Sequence, residues 1–267
     1  MAIDYTIGLT CVPKETFGTQ GVLERLKGRA RAESIIRLFR ENGDDRSPDQ
    51  MGFEFVRSSP TGEEDTQVIV VQDLLDQAAE LDAYAPLCIG CRANRRAQPF
   101  GCMDAIQYPL TSTGERWLLD RLPGIDEPLL WLLLRRGVQD LGYDGKTVEP
   151  LRANGVYFES PTLFMRDLQD FVMTSDQVFE MFFLLGDIQP SHAGMLLQFT
   201  DAVPRVTEAG QILELMNNAL SPDEKASRYP FKLAAEASDD RTITDLKRFL
   251  ASLHRAWALN VPLNLDV

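Results

Sequence analysis

The sequence predicts an α+β fold, with an N-terminal ferredoxin-like split β-α-β-β-α-β unit followed by a helix-rich mixed part with short strands. Three observations carry that expectation. Several segments of the first 110 residues alternate apolar and polar side chains, and two helical stripes separate them. Beyond Glu127 the apolar spacing changes to three and four.

In chain order, Ile3, Tyr5, Ile7 and Leu9 alternate with Asp4, Thr6 and Gly8, the period of a half-buried strand. Val22, Leu26, Ile35, Ile36 and Phe39 predict a helix over Thr19–Glu41, stopped by Asn42-Gly43. Met51, Phe53 and Phe55 alternate again. Pro60-Thr61-Gly62 then turns the chain into Val68–Val71, so the pair reads as a hairpin. Leu74, Leu75, Ala78 and Leu81 give a second helix, and Ala105–Leu110 a last strand.

In the second part, Pro128 opens a helix that Gly137 or Gly142 ends. Thr174 with Gln177 forms a capping-box pattern ahead of Val178–Leu185, and Ser221-Pro222-Asp223-Glu224 starts another helix. Ile243, Leu246, Leu250, Leu253 and Trp257 form the longest helical stripe. Val156–Phe158, Met195–Phe199 and Val261–Val267 read as strands. The expected organisation is 1–120 and 121–267, with Asp120–Glu127 as the boundary. The alternative is one continuous sheet that takes Val261–Val267 as a late strand.

The 44% apolar and 25% charged composition is that of a folded globular chain. A net charge of −13 disfavours binding to nucleic acid, and no apolar run approaches the length of a membrane span. Without a basic, apolar leader at the N-terminus, the expected location is cytoplasmic. The partner is left open between a protein and a small molecule.

The chemistry concentrates on Cys11, Cys88, Cys91 and Cys102, three of them within CIGCRANRRAQPFGC. A C-x2-C turn aims two thiolates at one ion, and a third returns after a loop. In the expected fold, strand one ends just before Cys11 and an antiparallel strand four begins just after Cys102, which would complete a four-thiolate site. The expected cofactor is structural zinc, with an iron–sulfur cluster as the alternative. The expected function is that of a metal-stabilised binding or regulatory protein, the alternative being a thiol or iron–sulfur redox enzyme using the same cysteines. Idle thiols are the third reading. Arg92, Arg95 and Arg96 in the same loop would offset thiolate charge or contact an anion.

Other motifs carry less. Gly145-Lys146-Thr147 lacks the earlier glycine of a phosphate loop, since Asp140 stands there, and Pro150 follows too soon. His254 sits beside Leu250 and Leu253 as a boundary histidine. His192, in a turn-like segment ahead of an expected strand, is the remaining candidate for a base or a ligand. Ser191 is its chain neighbour and is poorly placed to be its nucleophile.

Overall fold

The computed structural model describes residues 2–58 and 64–266. The expected Pro60-Thr61-Gly62 turn lies outside them. Chain contacts divide the protein into two compact units. One comprises Met1–Leu9, Arg92–Arg96 and Gly101–Val267, and the other Thr10–Cys91 with Ala97–Phe100.

The smaller unit carries α1 (Val12–Glu41), β2 (Gly52–Ser58), β3 (Glu64–Val70) and α2 (Val71–Ala79). Gly18 breaks α1 with a φ of 73°, a left-handed conformation open to glycine, so the long segment starts at Thr19 as expected. Ala32, Met51 and Val71 form a buried core with Ile35, Ile36, Phe39, Phe53, Leu74 and Leu75 packed around it. Val71 was expected in the strand but opens α2, its N–H donating to Met51 O at 2.9 Å. Arg25 and Arg29 of α1 pair with Glu80 and Asp82, both at 2.7 Å.

The larger unit is built on an antiparallel sheet of order β4-β1-β8-β7, from β1 (Ala2–Ile7), β4 (Met103–Gln107), β7 (Asp187–Ile188) and β8 (Leu263–Asp266). Pairing of β1 with β4 runs from Ala2↔Gln107 to Thr6↔Met103, the antiparallel neighbourhood the sequence implies. The ferredoxin-like order is not found. There the hairpin would fill the other edge of β1; here β2 and β3 pair only with each other, and β8 takes that place. The physical reason is burial on both sides. Residues 3–7 are all buried, so β1 needs a ladder partner at each edge, while Phe53 of the hairpin is committed to the α1–α2 core. The late C-terminal strand, with Leu263 fully buried, supplies that partner.

Helices cover the rest: α3 (Ser112–Asp120), α4 (Pro128–Leu141), α5 (Glu149–Ala153), α6 (Ser175–Phe183), α7 (Pro190–Phe199), α8 (Ala209–Met216), α9 (Pro222–Arg228) and α10 (Arg241–Leu259). A small hairpin, β5 (Met165–Asp167) with β6 (Val172–Thr174), lies between α5 and α6. The expected capping box forms at Thr174, and Ser221 caps α9 as expected, there too with a full capping box. Gly142, with a φ of 71°, ends α4 in the left-handed conformation. Met195–Phe199 is helix rather than strand, because residues 193–200 are buried on every side. A uniformly apolar run shows no periodicity to tell the two apart. Val156–Phe158 makes only a single parallel bridge, Leu110↔Phe158.

Helix α10 packs across the sheet, with Tyr5 and Phe249 edge to face at 5.3 Å. It meets α3 closely: a Cβ on Gly114 would lie 2.3 Å from Thr242 Cγ2 and 2.8 Å from Thr242 Cβ. Gly114→Ala should therefore cost about 1–3 kcal/mol, outweighing alanine's better helix propensity. Urea unfolding of the variant checks this; unchanged stability would mean the helices separate freely. Among the described residues no helix is long and apolar enough to cross a membrane.

Candidate functional site

The expected four-thiolate group is not found among the described residues. Among the described residues, no three His, Cys, Asp or Glu side chains come together so that they could hold a metal ion. That overturns the reading of a metal-stabilised protein, along with its iron–sulfur alternative. The four cysteines are free thiols. Cys11 stands at the N-cap of α1 and makes no side-chain cap bond. Cys88 and Cys91 flank a tight turn, with Cys91 N–H donating to Cys88 O at 3.3 Å around Gly90 at φ 75°. Cys102 O accepts from Ile7 N–H at 3.0 Å, so the ladder sets Cys102 beside Ile7, four residues before Cys11.

Two of the loop arginines have other partners than thiolates. Arg95 donates to Arg248 O and Ser252 Oγ, both at 2.6 Å, and ties the loop to α10. Arg96 pairs with Asp104 at 3.0 Å. Gly145-Lys146-Thr147 does not hold phosphate: Gly145 N–H and Thr147 Oγ1 donate to the two oxygens of Glu180, each at 2.8 Å. His254 is committed as well, donating from Nε2 to Tyr229 O at 2.9 Å. Phe179, Phe182 and Phe183 are buried core residues.

His192 is different, because it faces a cavity of about 380 Å³. Helix α4, begun by Pro128, contributes Leu133, Leu134, Gly137 and Leu141 from one face at helical spacing. Helix α7, begun by Pro190, contributes Ser191, His192, Met195 and Phe199 at the same spacing, with Met181 of α6 and Met216 of α8 closing the apolar walls. Tyr143 follows the Gly142 cap and is fixed by Gln177 Nε2, which donates to its carbonyl at 2.9 Å. The pocket thus belongs wholly to the larger unit.

Its electrostatics are nearly neutral. Burial holds the His192 imidazole below the usual histidine range, so it is uncharged at neutral pH. Burial also raises the Tyr143 phenol, helped by the negative charge of Glu180. Neither His192 nor the Ser191 hydroxyl has a hydrogen-bond partner among the described residues. Arg136 and Asp140 stand at the rim 3.8 Å apart and offset each other. Chain position alone singles out His192 but suggests a turn-like segment; the residue lies in the first turn of α7.

Two buried charges elsewhere in this unit are structural. Arg152 of α5 donates to Glu115 of α3 and to Asp176 of α6, each at 2.5 Å, and joins three helices. Lys225 of α9 is 1% exposed; it donates to Trp257 O at 2.7 Å and to Asn218 Oδ1, with its Nζ 5.0 Å from the Trp257 ring centre. Burial pushes its pKa down to about 8. A lysine with a depressed folded pKa leaves the unfolded chain binding more protons between that value and its ordinary one. Stability should therefore rise with pH from about 8 to about 10.5. Relative to Lys225→Met, the unmodified protein should gain about 2 kcal/mol between pH ~7.5 and ~9.5 in urea melts. Parallel stability curves for the two proteins would show that Lys225 is not so shifted.

No protein-family model, no curated protein and no solved structure matches the chain.

Proposed function

We propose that the protein binds a small, predominantly apolar organic molecule in the cavity between α4, α6, α7 and α8. The observation that carries this is the combination of the cavity with Gly137. A glycine inside a helix costs about 1 kcal/mol against alanine, and it is retained where something must come close to the backbone. A Cβ at Gly137 would meet no atom within 4 Å, so helix packing gives no reason for a glycine there. It opens directly onto the cavity.

The volume fits the reading. At about 30 Å³ per water-sized group, 380 Å³ has room for roughly a dozen non-hydrogen atoms, and it falls in the range of small-molecule pockets. Apolar walls supply the affinity, and the polar groups at one end supply orientation. No acid and base are paired for catalysis: the His192 ring has no carboxylate to orient it among the described residues. Binding is accordingly the activity the site supports.

Toluene tests the proposal. Present at about ten times its Kd, it stabilises a protein that binds it only when folded by about 1.4 kcal/mol, equivalent to about 3–5 °C in melting temperature. Saturable stabilisation with matching heat in a calorimetric titration is the expected result. No binding of toluene up to its solubility limit would refute the proposal.

A further inference from the structure

We infer that the pocket selects a ligand whose polar head is an uncharged hydrogen-bond acceptor, such as a ketone, ester or amide carbonyl. This rests on the small-molecule reading of the same pocket. Three side chains that line it can donate: the Ser191 hydroxyl, the Tyr143 phenol and the N–H of the His192 ring. Ser191 and His192 are also the second and third residues of α7, whose N-cap Gln189 makes no side-chain cap bond. The first turn of a helix carries unsatisfied N–H groups and a partial positive charge, so it too favours an acceptor.

Charge on the head is selected against from both signs. A cation would meet the positive end of α7 and no unopposed carboxylate, since Asp140 is set against Arg136. An anion would have to leave water for a cavity walled by leucine, methionine and phenylalanine, with no unopposed cation in it. Arg136, the one basic side chain of the lining, is set against Asp140 and remains largely solvated. The neutral state of His192 agrees with that balance, since an imidazolium would have supplied the missing counter-charge. A carbonyl oxygen satisfies the donors without either desolvation cost.

Four aromatic probes of equal size separate the ideas: cumene, acetophenone, benzoate and benzamidinium. Calorimetric titration should show cumene and acetophenone bound, and benzoate and benzamidinium at least about ten-fold weaker than acetophenone. His192→Phe and Tyr143→Phe keep the aromatic volume and remove a donor. One hydrogen bond is worth about five-fold, so at least one of the two variants should weaken acetophenone by about that factor relative to cumene. Benzoate or benzamidinium binding as tightly as acetophenone overturns the inference. Equal losses for cumene and acetophenone, or no loss of acetophenone in either variant, overturn it too. Failure of cumene and acetophenone alike would instead strike the underlying reading of the pocket, and the inference with it.

Discussion

Arg152→Met should destabilise the protein by about 3–5 kcal/mol, the cost of leaving partnered carboxylates buried without their cation. Glu115, Arg152 and Asp176 are each less than a tenth exposed, and burial already raises the Glu115 pKa against the pull of the guanidinium. With that pull removed, the Glu115 carboxylate should titrate higher still in the folded state than in the unfolded one. The variant's stability should then be greatest below the ordinary carboxylate pKa and fall as pH rises from there to the raised folded one. Urea melts at pH ~5 and ~7.5 should show the deficit largest at the higher pH. Adding Glu115→Gln and Asp176→Asn should recover a good part of the loss. A variant as stable as its parent at both pH values would mean that the three helices are held together by packing alone.

Gly137→Phe should abolish toluene binding, and Gly137→Ala should raise stability by about 0.5–1 kcal/mol. Both follow from one fact: the Cβ of a residue at this position points into open space within the cavity. A phenyl ring there fills the volume a ligand needs, while the helix gains a better former than glycine. Lost binding in a protein that melts no lower than its parent is a signature that general damage cannot imitate. Undiminished toluene binding in Gly137→Phe would locate the ligand elsewhere. A destabilised Gly137→Ala would mean that glycine is needed for packing after all.

Local signals in the sequence translated well into structure. The period-two alternation of Ile3, Tyr5 and Ile7, the capping boxes at Thr174 and Ser221, and the Ile243–Trp257 stripe each encode an element within a few residues of chain. Sheet order is a non-local property. Whether the hairpin or the C-terminal strand flanks β1 depends on which apolar faces are already used, and no short window contains that information. Helix α3 carries no such signal, since Ser-Thr-Gly-Glu-Arg is a polar run, although Glu115 and Gly114 are buried against α5 and α10. The cysteine spacing showed how near the residues lie along the chain and nothing about where their thiols face. Two of the arginines between them, Arg95 and Arg96, serve α10 and Asp104. The pocket was illegible for the same reason as the sheet: its walls come from four helices spread over more than 80 residues. Its local signals were two single residues, His192 and Gly137, the latter a glycine in the middle of a leucine-rich helix.

Methionine positions allow the most direct test of the proposed site. Met181, Met195 and Met216 line the cavity, while Met103 and Met173 are buried elsewhere in the same unit and Met51 lies in the core of the other. In methyl spectra of protein labelled at methionine, titration with toluene should shift the Met181, Met195 and Met216 resonances along one saturable isotherm. The Met51, Met103 and Met173 signals should stay in place. Saturable shifts confined to Met51, Met103 or Met173, or no shift at any methionine, would contradict a ligand site between α4, α6, α7 and α8.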